Sequence, residues 1–318
     1  MQEAEGMRKP GMSRGRRSLL VVCAGAIVIH LIPLFLPRNE PEQQLAIARA
    51  MSTVPQRVPF LRPLKDDAKA TTAELREAAS LLIDGAPDEA HALVLEAERR
   101  GPGEVETQLL LARVCDVERM NRCVSTALSR AKSLAPGDAR PDVLRAELQE
   151  KAGDVVGAAQ SLEQAHGKAP EDVLIGLRYV NLLSATRRGA DALAVLRTME
   201  GRLPPARLLV EQGRVRSREG ADEDAVKLFR AAVVDDPKLS VGFFELGLAW
   251  HRLGRLDAAE EALRQADRLD LSNPKALAAL CAIQLKERRV DDARLTRMDL
   301  ERRFSGQPEL IRQSCSIP

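Results

Sequence analysis

Proline recurs at Pro102, Pro136, Pro170, Pro204 and Pro237, at steps of 34, 34, 34 and 33 residues. Three further position classes keep the same step. A small residue falls at Ala90, Val124, Ala158, Ala192, Ala225, Ala259 and Ala293. A large apolar residue follows at Val94, Leu128, Leu162, Leu196, Phe229 and Leu263. A second small residue comes three later, at Ala97, Ala131, Ala165, Ala232 and Ala266, with Met199 as the exception. A period in this range means stacked supersecondary units, each too small to bury its apolar face alone.

Spacings of four and three place Ala, large apolar and Ala on one face of a helix. Glycine lies ahead of this face at Gly85, Gly153, Gly220 and Gly254, where a left-handed turn ends a preceding helix. Proline then stops the second helix and presets the next start. Each unit therefore reads as an αα-hairpin whose alanines let its two helices approach closely. Aromatics are 3% of the chain and charged residues 30%, so the core is one of Ala, Leu and Val.

The sixth unit, "SVGFFELGLAWHRLGRLDAAEEALRQADRLD", carries Phe243, Leu246, Gly247, Trp250, Gly254, Ala259, Leu263 and Ala266. These resemble the Trp, Leu, Gly, Tyr, Gly, Ala, Phe and Ala of the tetratricopeptide repeat. The resemblance covers about three quarters of the chain. It implies an all-α, right-handed solenoid of about seven hairpins, at 71–104, 105–138, 139–172, 173–205, 206–239, 240–273 and 274–307. Units one to four depart from the pattern, with Glu77-Ala78, Leu111-Ala112, Arg145-Ala146 and Tyr179-Val180 at the Leu-Gly pair. Unit seven has Arg297 at the large apolar position and reads as a solvated cap. Residues 308–318 read as a tail or capping helix.

Ahead of the repeats, Leu19 to Leu36 is an apolar run broken by His30 and Pro33. Eighteen helical residues span about 27 Å, close to a hydrocarbon core of about 30 Å. Arg8, Lys9, Arg14, Arg16 and Arg17 precede it and place the N-terminus in the cytoplasm. The expectation is a basic stub at 1–17 and a single uncleaved anchor helix at 18–37. The repeats would then lie outside the cytoplasm, on a cell inner membrane. A cleaved signal peptide is the rival, but "ARA" at Ala48 to Ala50 lies too far downstream for its cleavage site. The four prolines of 38–70, with Pro37 just ahead, read as a linker, with "QQLAIARAM" as a short helix.

No catalytic constellation stands out. His30, His91, His166 and His251 are far apart, and no phosphate-binding glycine loop or Gly-x-Ser-x-Gly elbow occurs. The chain is expected not to be an enzyme and to need neither cofactor nor metal. Its net charge of +2 and few aromatics argue against nucleic acid. Cys23 lies within the apolar run. Cys115 and Cys123 are separated by seven residues, with no histidine nearby in sequence. Cys281 and Cys315 are 34 apart, at equivalent places on successive first helices. Each pair reads as buried packing or as a disulfide; the second needs the oxidising space that the expected topology supplies.

The resemblance implies that the first helix of each unit lines a concave groove. Unit three offers Arg140, Val143, Glu147, Glu150 and Lys151. Units five and six offer Arg207, Val210, Arg214, Arg218, Phe244, Leu248, His251 and Arg252. Unit seven offers Lys275, Ala278, Ala282, Leu285 and Lys286. The C-terminal half is basic with apolar floor residues, which suits an acidic or carboxylate-ended peptide with an apolar anchor. Leu177 stands where the family's carboxylate-clamp lysine would precede Asn181, so that specificity does not carry over. The expected function is a membrane-tethered scaffold for protein or peptide binding. The alternative is an accessory or assembly factor of an envelope machine for secretion, cytochrome maturation or polysaccharide export.

Overall fold

The computed structural model describes residues 40–316. The basic stub 1–17 and the anchor expected at 18–37 lie outside them. Among the described residues, no helix is long and apolar enough to cross a membrane.

Seven helical hairpins fill the predicted frame. They are α3 (Thr72–Leu82) with α4 (Pro87–Arg100), α5 (Val105–Val117) with α6 (Asn121–Leu134), and α7 (Arg140–Lys151) with α8 (Val155–Lys168). Then come α9 (Val173–Ala185) with α10 (Gly189–Thr198), α11 (Pro205–Arg218) with α12 (Asp222–Asp235), α13 (Ser240–Arg252) with α14 (Leu256–Leu269), and α15 (Lys275–Lys286) with α16 (Val290–Arg303). Among the described residues there is no strand, only an isolated bridge at Glu200 and Leu203. The chain falls into two units, one ending at Leu134 and one beginning at Ala135.

The periodic residues are the core. Ala90, Ala158, Ala192, Ala225, Ala259 and Ala293 are fully buried, and so are Val94, Leu162, Leu196, Phe229 and Leu263. Arg297 breaks the series as expected: it is half-exposed and pairs with Glu301 at 2.7 Å. The seventh hairpin is instead covered by a last helix, α17 (Pro308–Ser314). Its Ile311 packs with Leu277, Leu300 and Phe304. The tail thus ends in a capping helix.

The linker reading of 38–70 is corrected. Its described part forms α1 (Pro41–Ala50), α2 (Val54–Leu61) and a 3-10 turn at Arg62–Asp66. Three of its prolines sit at the first or second position of these elements, where the missing N–H has no helical partner to lose. Leu45, Ala48, Leu61 and Leu64 are buried against Leu75, Leu82, Leu93 and Ala97 of the first hairpin. Arg100 donates to the carbonyls of Lys65, Asp67 and Ala70 at 2.6–2.8 Å, and Arg49 forks onto Glu77 at 2.5 and 2.7 Å. The segment therefore covers the first repeat.

The hairpin turns keep one conformation through different residues. Position 15 of the frame has positive φ at Gly153, Gly220 and Gly254, and also at Arg119, Arg187 and Arg288, between 59° and 81°. Gly85, at the same position of the first unit, is not among them. Side-chain residues are strained there, by about 1–2 kcal/mol. Arg187→Gly is expected to leave stability unchanged or raise it by up to about 1 kcal/mol, and Gly220→Ala to lower it by about 1 kcal/mol. Urea denaturation of the full-length chain followed by circular dichroism measures both. Equal losses from the two changes would show that the turn does not set the cost.

Candidate functional site

The first helices of units five to seven, α11, α13 and α15, carry the expected groove residues. Val210 does not reach it. It is fully buried with Ala225, Phe229 and Ala249, so the expected floor residue belongs to the core. Phe244, Leu248 and His251 are half-buried.

The arginines are mostly committed within the chain. Arg207 donates to Glu211 at 3.0 Å, and Glu211 is 3% exposed. Arg214 contacts Glu211 at 3.0 Å and Glu245 at 2.8 Å. Burial pulls the Arg214 guanidinium down, but Glu211 and Glu245 together raise it above its ordinary value. Arg252 pairs with Asp222 at 2.7 Å and also donates to Ser217. Arg218 donates to the backbone oxygen of Asn181 at 3.1 Å and to its Oδ1 at 3.2 Å, both neutral acceptors.

The absence of carboxylates at the groove positions therefore does not leave this face uncompensated. Glu211, Glu245 and Asp222 come from neighbouring positions. The signal for Glu211 was in the sequence: Arg207 and Arg214 flank it at spacings of four and three. A similar link joins units three and four, where Arg178 reaches Glu147 and Glu150 at 3.0 Å each. Arg214→Glu would put a third carboxylate beside a buried one, which makes Arg214 a support of the fold rather than a free contact.

Between the first helices lies a cavity of about 140 Å³, lined by Arg214, Ser240, Val241, Phe244, Asn273 and Lys275 among others. Small-molecule sites run to about 300–1,000 Å³, so this one suits a single side chain. Phe244 packs with Leu263, Leu280 and Ile283 and forms the rigid apolar side. Lys275 is exposed beside the cavity.

The cysteine pairs resolve as bonds. Disulfides join Cys115 to Cys123 and Cys281 to Cys315, with Cα atoms 5.9 and 5.5 Å apart. These separations lie within the range a disulfide spans without backbone movement. The second ties the residue that closes α17 to α15.

Antiparallel helix pairs stacked on a 34-residue step, with small residues at each closest approach, define the tetratricopeptide-repeat fold. A tetratricopeptide repeat protein from Parabacteroides merdae superposes with a TM-score of 0.55 at 16% identity, over 76% of this chain and 98% of that one. Yeast Tom70 gives 0.53 at 13% identity, over 87% of this chain and 60% of its own. A chain of the APC/C hetero-tetramer Cut9–Hcn1 gives 0.43 at 14% identity, over 86% of this chain. This chain spans 55% of the length of that one. Identities this low make the likeness one of fold. No protein-family model matches the sequence, and no curated protein is significantly similar to it.

His166 of unit three and His251 of unit six have buried Nδ1 atoms with no hydrogen-bond partner among the described residues. Burial lowers His166 below its ordinary 6.5; Arg202 adds to this and Glu171 opposes it. Burial lowers His251 likewise, with Lys286 and Arg252 adding and Glu287 opposing. A lowered folded pKa favours the neutral ring. The stability these groups contribute is whole above pH 6.5 and is lost as pH falls below it, through the folded values. The urea midpoint should therefore fall as the pH drops below 6.5, ahead of most carboxylates. His166→Gln with His251→Gln should flatten that fall; an unchanged slope would remove both rings as its cause.

Proposed function

We propose that this chain is a membrane-tethered scaffold that holds a protein or peptide segment outside the cytoplasm, on the first-helix face of units five to seven. The observation that carries the binding reading is the 140 Å³ cavity beside Phe244. It offers a preformed apolar slot between polar groups, the form of a pocket for one anchor side chain. An acidic group on the same segment would meet Lys275, which has no carboxylate partner among the described residues, on the side of the cavity away from Asp270, which also lines it. Arg207, Arg214 and Arg252 are already paired. The tetratricopeptide-repeat fold supports a protein partner over a small substrate, since an open stack presents extended surfaces.

The apolar run Leu19–Leu36 and its basic flank support the tether. Two disulfides support an oxidising compartment for the repeats. An accessory role in an envelope machine is a narrower form of this reading, decided by the partner's identity.

Binding is tested with a photo-crosslinking phenylalanine analogue placed at Phe244 in the full-length chain in cells. A discrete adduct is expected there and none from Ala231, exposed on the second helix of unit five. Val241→Glu, which fills the slot with a charge, should abolish the adduct. Equal adducts from both positions, or none from Phe244, would overturn the groove assignment.

Topology is tested separately, with a reporter active only outside the cytoplasm fused after Pro318. An active reporter is expected. A silent one would overturn the location without touching the groove.

A further inference from the structure

The Cys115–Cys123 bond lies beside a histidine that linear spacing hid. Cys115 lies in the last turn of α5, Cys123 in the first turn of α6, and His91 comes from α4 of the preceding hairpin. One ligand-type atom from each of the three lies within 4.8 Å of the others. Cys115 is fully buried, and His91 and Cys123 are half-buried. The His91 Nδ1 is 2.5 Å from a carboxylate oxygen of Glu118, itself 13% exposed in the α5–α6 turn.

A carboxylate on Nδ1 fixes the imidazole tautomer and ring orientation, and leaves Nε2 as the free lone pair. Metal-binding histidines are held in this way. The Glu118 contact thus holds the ring in one orientation beside the two sulfurs.

We propose that His91, Cys115 and Cys123 form a thiol-gated site for a zinc-class divalent cation, with Glu118 as the residue that positions His91. The oxidised chain keeps the disulfide and binds no ion. A dithiol reductant supplies two electrons and two protons; the S–S bond breaks, two thiols form, and the reductant leaves as its own disulfide. The cation then displaces both thiol protons and accepts two thiolates and the His91 Nε2. Two thiolates neutralise a dication, so the half-buried site gains no net charge.

With Zn–S bonds of about 2.3 Å in a tetrahedral arrangement, the sulfurs stand about 3.8 Å apart. Cα atoms 5.9 Å apart admit that separation by rotation of the two side chains. Three protein ligands leave a fourth position for water.

The test compares the full-length chain as the disulfide and after reduction, with the dithiol removed without air. Cobalt(II) is the probe, because thiolate ligation gives an intense charge-transfer band and a tetrahedral site gives strong visible bands. One cobalt per reduced chain is expected, displaced by zinc, and none for the oxidised chain. Replacing the other pair, Cys281→Ser with Cys315→Ser, should leave the bands in place. His91→Ala and Cys123→Ser should each lose them, and Glu118→Gln should weaken affinity about 10–100-fold.

The oxidised–reduced comparison uses unaltered protein and stands even where a variant fails to fold. A reduced chain that binds no cobalt, or that loses its helical spectrum, overturns the proposal. So does an oxidised chain that binds equally, or a His91→Ala chain with its bands intact.

Discussion

The structure depends on helices touching at points where almost no side chain stands. At Gly213 an added Cβ would come within 2.4 Å of the Phe229 ring. At Gly247 it would come within 2.7 Å of Leu263 and 3.1 Å of the Ala259 carbonyl oxygen. Both glycines occupy position 8 of their units, and Ala78, Ala112 and Ala146 hold that place elsewhere, fully buried. A missing side chain on the first helix receives a large one from the second. Interiors are close-packed, so the two choices bind each other: enlarging one end of the contact demands shrinking the opposite end. This pairing, made by glycine or alanine in units one, two, three, five and six, lets the core do with few aromatics.

Between hairpins, part of the adhesion is electrostatic. Arg178 reaches back to Glu147 and Glu150, and Glu245 reaches back to Arg214, so a group at position 6 meets one at position 9 of the preceding unit. At the junction of units six and seven the corresponding residues are Leu248 and Ala279, and the ion pairs move to the second-helix side, where Arg289 meets Glu260 and Arg303 meets Asp267. The cavity beside Phe244 lies on this same stretch. Where the first helices are stitched by ions, the face is spent on holding the stack. Where the stitching ends, apolar surface is left for something else.

Most of the fold was legible because the 34-residue step repeats, and repetition averages away the ambiguity of any single position. The frame drawn from Ala225 and Pro237 places all seven hairpins. What was not legible lies outside the repetition. The 38–70 segment has one copy, and its prolines look alike whether they break a helix or begin one; burial of Leu45, Leu61 and Leu64 decides between these. Of the groove, the positions were legible but not their availability. Val210 faces the core, and Arg214 is held partly by Glu245 on another hairpin, 31 residues away. His91 was missed for the same reason: it joins Cys115 and Cys123 through stacking, not through spacing.

A row of repeats held mainly by neighbours comes apart most easily at its ends, since a terminal unit has one interface to lose. The Cys281–Cys315 bond removes that soft end, because α17 cannot peel away while its closing residue is tied to α15. Dissociation from this side must release the seventh hairpin whole, together with the α15 residues that border the cavity. One covalent link thus joins the last helix to the helix that carries the slot's far wall, and the order in which the array unravels depends on that link as well as on the packing of its units.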